Sequence, residues 1–489
     1  MVTTSQAPYS CIHSLKNNLK PTLPLRLYPV GSTIVSANHN SSVCDIAHDI
    51  HDTLTHSPQK AGPLHIWLGI CSSFTLDVSG IAGFFGGEES FAAMSSVHLI
   101  RGRRWLGWYN SPGSYFVAKK YGVLARSRVW DGLYPGVNVD PTTMLELDGK
   151  VGPRYVAAFS GTRLAATGHL AYLFANHCKD ISSKQIPNAT GPPLSLITIV
   201  ELGDFEEFKG YPALPAAYFS KFDPIAIVPI AYSLAAAVMC AVFGDWYCFA
   251  MILLGVFSNG ISCFVIGSGV LKLSHPNSSP HSPPGDGLFL QQGHVILVKG
   301  SEKLVSSITR GSYYLEYKSE SRYHDIGYSS VALTTQFLLQ LFLVPQGKLF
   351  GQIMFLSSLG VSWLFNAYLA SIDKEELQTK TLAGVLKLKH GDIKTRQFPK
   401  WTALVVFATC ALKPADPRAF LDELIPNNTR VWKVIKETIV EGIQQGEDPK
   451  DLLEGKSEKK NDLDNSEKGL LNDMIDQASI GYLAAKEFK

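Results

Sequence analysis

The sequence predicts a mainly α, multi-pass helical membrane protein: two transmembrane hairpins, with a small β-hairpin element and a mixed N-terminal region. Three observations predict it. Four uncharged apolar stretches are each long enough to cross about 30 Å of hydrocarbon, which takes about 20 helical residues. They fall into two pairs, each joined by a turn too short for anything but an antiparallel return. Aromatic and basic residues gather at their ends, as membrane–water interfaces favour.

Residues 1–222 form an N-terminal region that reads as mostly soluble or membrane-adjacent. Two segments in it, 64–87 and 156–177, are apolar enough to suggest crossings. Each carries a charge, Asp77 and Arg163 respectively, which is costly at mid-bilayer, so both are read as buried or membrane-adjacent helices. Residues 223–271 make the first transmembrane hairpin, with spans at 224–243 and 247–271 separated by Gly244, Asp245 and Trp246. The second, 329–371, has spans at 329–345 and 349–371 around Gln346, Gly347 and Lys348. No Asp, Glu, Lys, Arg or His occurs in any of these four spans. Trp246 and Tyr247 flank the start of the second, and Tyr368 lies near the end of the fourth.

Between the hairpins, 272–328 reads as a linker plus a short β element. The Pro/Ser-rich stretch 274–287 cannot continue a helix. After it, 294–299 (HVILVK), a turn at 300–303, and the runs LVSSIT and SYYLEY have the β-branched and aromatic content of a hairpin. Residues 372–446 read as a helical cytosolic region, in which 373–390 continues the fourth span's helix. In 427–446, Trp432, Ile435, Ile439 and Ile443 recur at helical spacing after a cap at Asn428 and before Gly446. The last section, 447–489, combines a charge-dense stretch at 447–468, expected to be disordered, with a terminal amphipathic helix marked by Leu470, Leu471, Met474, Ile475 and Ala478.

Composition excludes some classes. A formal charge of +2 with no dominant basic cluster argues against nucleic acid as a partner. Eight dispersed cysteines lack both C-x-x-C spacing and a disulfide framework, which suits a reducing compartment. Lys and Arg crowd the inter-hairpin segment and the tail, so the basic loops and the C-terminus are expected in the cytosol. The chain is therefore read as integral to the membrane, with the lipid bilayer as its first partner. The two C-terminal amphipathic helices offer a surface for a protein partner.

The stretches 244–269 (GDWYCFAMILLGVFSNGISCFVIGSG), 307–317 (SITRGSYYLEY), 336–375 and 421–433 (LDELIPNNTRVWK) resemble an uncharacterised fungal family of multi-pass membrane proteins. The resemblance covers less than half the chain. It implies a helical membrane fold and carries no activity.

Chemistry is sparsely marked. In 45–56 a helix would place Asp45, His48, Asp49, Asp52 and His56 on one face. Carboxylate and imidazole one turn apart can bind a divalent ion, which makes His48, Asp52 and His56 the metal candidates. Because the pattern has no second ligand group, a solvated helix face is the preferred reading and no cofactor is assigned. Gly83 and Gly87 have the spacing of close helix packing. The run 101–105 (RGRRW), with Trp108 and Tyr109, reads as a surface turn suited to anionic headgroups. Phosphate-loop, dinucleotide-binding, nucleophile-elbow and zinc-protease motifs are absent. Within the spans, the interruption SNGISC at 258–263 puts Asn259 at mid-depth; Gln336, Gln340, Gln352 and Asn366 are the amides expected to meet it, as helix glue or as a broken-helix site. These features favour a membrane scaffold or sensor. The alternative is a transporter or channel component, and the second alternative is a membrane-tethered enzyme using the N-terminal region, for which no catalytic residues stand out.

Overall fold

The computed structural model describes residues 85–488, apart from 126, 137–138, 186–194, 204–212, 218–221, 292, 318–319, 389–392 and 456–462. Outside it lie the metal candidates His48, Asp52 and His56 and all of 64–87 except its last three residues.

The described chain opens with two short helices, α1 (Gly87–Leu99) and α2 (Ser114–Leu124). Each follows a glycine in left-handed backbone, Gly86 (φ 67°) and Gly113 (φ 71°), a conformation that carries little penalty without a Cβ. After two helical turns at Arg128–Leu133 and Pro141–Met144 come β1 (Arg154–Ala157), β2 (Arg163–Leu164) and α3 (His169–Gln185). This corrects the reading of 156–177 as one helix: Gly161 (φ 67°) turns β1 back onto β2, and helix begins only after Gly168. After β3 (Ser195–Glu201) come α4 (Phe222–Val242) and α5 (Trp246–Ile266), the first apolar pair.

The region between the pairs is more ordered than a linker. It contains β4 (Val270–Ser274), β5 (Gly287–Gln291), β6 (His294–Lys299), α6 (Glu302–Thr309) and β7 (Ser312–Glu316). The expected hairpin of 294–299 with LVSSIT and SYYLEY does not form. EKLVSSIT is helical because Leu304, Val305 and Ile308 share one face, and that face is buried. The real hairpin joins β5 to β6 through Gly293 (φ 73°), while β7 pairs with β4.

The second apolar pair is α7 (Glu320–Leu343) and α8 (Leu349–Ala370). Its helix stops at Ser371, and Asp373 caps a separate α9 (Lys374–Val385) by accepting the Glu376 N–H, so 373–390 is not a continuation. The tail holds β8 (Ile393–Phe398), α10 (Trp401–Leu412), α11 (Pro417–Leu424), α12 (Arg430–Gln445), α13 (Pro449–Gly455) and α14 (Asn465–Glu487). Residues 372–446 therefore include a strand, which sequence reading missed. The expectation of disorder over 447–468 fails for α13, whose Leu452 and Leu453 are buried, and for the start of α14, where Asp464 and Glu467 form a reciprocal cap.

Six strands form one sheet in the order β2-β1-β5-β6-β3-β8, in which β3 and β6 run parallel. Its alternation separates two cores. Val156, Ile197, Ile199, Val295 and Leu297 pack against α10 to α14, while Tyr155, Val200, Phe289, Ile296 and Val298 pack on the side of α3, α6 and α9. The apolar stripes of α12 (Val431, Ile435, Ile439) and α14 (Leu471, Ile475, Ala478) close the first core, so they are occupied by the chain itself.

Four helices, at Pro224–Val242, Trp246–Ile266, Tyr323–Gln346 and Leu349–Ala370, are long and apolar enough to cross a membrane. With α1 and α2 they make a closed ring of neighbours: α1 packs on α8, α8 on α4, α4 on α5, α5 on α7, α7 on α2 and α2 on α1. The ring is fastened at both ends. At one end, buried Asp245 caps α5 by accepting the Cys248 N–H at 3.1 Å and takes the Lys348 N–H at 2.7 Å, tying the two hairpin turns together. At the other, the β4–β7 ladder joins the exit of α5 to the entry of α7.

Candidate functional site: a polar core inside the helical ring

The centre of the ring is filled by the segment between α1 and α2. Leaving α1, the chain makes a turn of 3-10 helix at Arg103–Trp105 and then runs down α5 toward the hairpin turns. Its contacts descend in order: Arg104 against Gly267, Gly107 against Cys263, Trp108 against Gly260 and Asn110 against Gly255. Over those twelve residues α5 rises about 18 Å, so the segment reaches roughly half-way through the bundle. Glycine is required at 255 and 260, where a methyl group would overlap Asn110 and the Trp108 indole. At Gly113 the chain turns back as α2, and Gly113 lies directly against Gly87, so the N-termini of α1 and α2 meet inside the ring.

Asn110 is fully buried at this meeting point. Its backbone N–H donates to Ser233 Oγ of α4 at 3.1 Å, and its Nδ2 donates to Ser358 Oγ of α8 at 2.8 Å. A second chain of bonds runs beside it. Arg103 Nη2 donates to Tyr109 Oη (2.9 Å), which donates to Asn366 Oδ1 (2.7 Å); Asn366 Nδ2 donates to Ser90 Oγ (2.8 Å) and Ser111 Oγ (3.1 Å). Arg103 and Tyr109 have no exposed surface. The reading of 101–105 as a surface turn therefore holds for Arg101, Arg104 and Trp105, which are exposed, and fails for Arg103 and Tyr109. Arg103 makes three donor contacts, to Tyr109, Leu106 and Cys263, and lies against the Tyr109 and Phe365 rings.

The five amides singled out within the apolar helices, Asn259, Gln336, Gln340, Gln352 and Asn366, are all buried but do not form one site. Asn259 donates to Gly107 O at 2.7 Å, from a helix that is unbroken through SNGISC, so no discontinuous helix occurs there. Asn366 joins the Tyr109 chain. Gln336 reaches Gln340 Oε1 (3.4 Å), and Gln340 reaches Met251 O on α5 (3.3 Å). Gln352 is used at the hairpin turn, donating to the carbonyls of Val344, Pro345 and Gly347. What Asn259 and Asn366 share is the 106–111 segment, which sequence reasoning placed elsewhere. The available signal was NSPG at 110–113 between two apolar runs, with Gly107 and Gly113 bracketing it.

The strongest polar cluster outside the ring is structural. His169 Nδ1 accepts the Lys150 N–H (3.3 Å), leaving Nε2 to donate to Gln378 Oε1 (3.2 Å), and Gln378 Nε2 donates to Leu147 O. Burial lowers the imidazole's pKa, so it is held neutral as a tie between α3 and α9. Among the described residues no group of three or more His, Cys, Asp or Glu is placed to hold a metal ion. No family model, curated protein or solved structure matches the chain.

Proposed function

We propose that the chain is an integral multi-pass membrane protein whose paired apolar helices are two transmembrane hairpins, and that residues 87–124 are a re-entrant unit forming the core of a transporter or channel component. The membrane reading is supported by an inverted distribution of side chains. Val228, Val238, Val242, Phe257, Phe342 and Leu364 are more than half exposed, while Ser233, Asn259, Gln336, Ser358 and Asn366 on the same helices are buried. Water would favour the opposite arrangement and lipid favours this one. The transport reading rests on one observation: Asn110, on irregular backbone, meets α4, α5 and α8 near mid-length, beside two converging helix N-termini. Non-helical backbone at such depth is tolerated only where protein or a water-filled path surrounds it, and carriers place their sites there.

The paired hydrogen bonds of Tyr109, Asn366, Ser90 and Ser111 favour a second reading. Such pairing also serves as helix glue in a sealed scaffold or sensor. Thiol accessibility separates the two. In proteoliposomes, Ser111→Cys should react with a charged, membrane-impermeant thiol reagent beyond the wild-type background, and Val238→Cys, on the exposed face, should not. Labelling of neither variant would overturn the transport reading in favour of the scaffold.

A further inference from the structure

We infer that a small monovalent anion such as chloride binds beside Arg103 in the polar core, which deepens the transport reading by naming its ligand class. Arg103 is wholly buried and, among the described residues, has no carboxylate partner. A guanidinium keeps its charge at any physiological pH and offers five N–H groups. Here Nη2 donates to Tyr109 Oη, Nη1 donates to Leu106 O at 3.3 Å and lies 3.9 Å from Cys263 Sγ, and Nε has no partner. None of these partners is an ionised acid, so the positive charge is solvated by dipoles alone. The spans add no acid: the runs 224–243, 247–271, 329–345 and 349–371 contain no Asp or Glu.

One more donor stands near Arg103. The buried Tyr121 hydroxyl, close enough to feel the charge of Arg103, has no hydrogen-bond partner among the described residues. An unneutralised buried cation with an unused N–H and an unused hydroxyl near it is the complement of an anion, because a buried charge without a counter-charge is costly and an anion relieves it. The ligand must be small. The Tyr109 and Phe365 ring centroids lie 5.7 Å from the guanidinium carbon, so rings occupy its surroundings and the Nε edge is what remains.

The test is thermal unfolding of the full chain in detergent at constant ionic strength, with sodium chloride or nitrate replacing sodium gluconate. Wild type should gain a few degrees in Tm with saturable dependence on chloride, as a ligand that binds only the folded state requires. Arg103→Gln should lose that dependence, and Arg103→Lys, which keeps the charge but not the fork, should retain it with a midpoint raised several-fold. Equal wild-type Tm values in all three salts would overturn the inference, even if no variant folds. So would a chloride effect that Arg103→Gln shares. Labelling of Ser111→Cys without an anion effect leaves the pathway standing and removes this inference; an anion effect without labelling keeps the anion and makes it a structural ligand of a sealed core.

Discussion

At the scale of single residues, the molecule uses glycine to bring an irregular strand of backbone against a helix. Gly255 and Gly260 of α5 leave the groove into which Asn110 and Trp108 fit, whereas Gly360 of α8 has nothing within 4 Å of where a Cβ would stand. Two glycines with the same local propensity should therefore respond in opposite ways. Gly260→Ala forces the Trp108 ring outward and should destabilise the protein by about 1–3 kcal/mol, the usual range for overpacking. Gly360→Ala should be neutral or stabilising by up to about 1 kcal/mol through helix propensity. Thermal unfolding in detergent, followed by tryptophan emission, checks both, and equal shifts would mean that the segment does not lie in the groove. Asn259 and Asn366 were visible in the sequence as amides within apolar runs. Arg103 and Asn110 were not, because a stretch rich in Arg, Trp and Gly has the composition of an exposed turn and only closure of the ring buries it.

At the scale of elements, long uncharged helices were legible and short strands were not. The apolar pairs stand out because about 20 residues without a charge have few other uses. β7 was read as half of the wrong hairpin because SYYLEY carries no information about which strand it meets, and LVSSIT was read as strand for its β-branched Val305, Ile308 and Thr309, although Leu304, Val305 and Ile308 are spaced to share one face of a helix. The sheet's polar insertions are now informative about pH. His294, on β6, shares a 2.8 Å bond between its Nε2 and Thr198 Oγ1 of β3, and burial lowers its pKa from 6.5 to about 4. The unfolded chain binds this proton near pH 6.5 and the folded chain only near 4. The stabilisation is therefore complete above 6.5 and is lost as the pH falls toward 4, amounting to about 3 kcal/mol. His169, lowered for the same reason, acts in the same direction. Denaturant unfolding between pH 7 and 4 should show wild type losing stability more steeply than His294→Gln, and parallel curves for the two would remove His294 as the cause.

At the scale of the whole molecule, every described element outside the ring lies in segments that leave the same end of it. The strand β4 continues from α5, β7 leads into α7 and α9 follows α8, whereas among the described residues the opposite end carries the two short turns around Asp245 and Gly347. The sheet, its helices and the tail therefore share one side of the membrane if the apolar helices cross it. That side carries Lys272, Lys299, Lys303 and Arg310 between the hairpins and the Lys-rich tail, against Lys348 alone in the turns. Short basic loops remain in the cytosol during insertion, so the sheet side should be cytosolic. Two Asn-x-Ser/Thr sequons, at 277–279 and 427–429, provide the check, because N-glycans are added only across the membrane from the cytosol. Asn277, in the Pro/Ser-rich stretch before β5, and Asn427, between α11 and α12, both lie on the sheet side, and both should remain unmodified in the protein expressed in a eukaryotic host. A band that shifts on enzymatic deglycosylation, and ceases to shift in Asn277→Gln, would place the sheet outside the cytosol and reverse the orientation of both hairpins together, since the turns and the sheet occupy opposite ends of the same four helices.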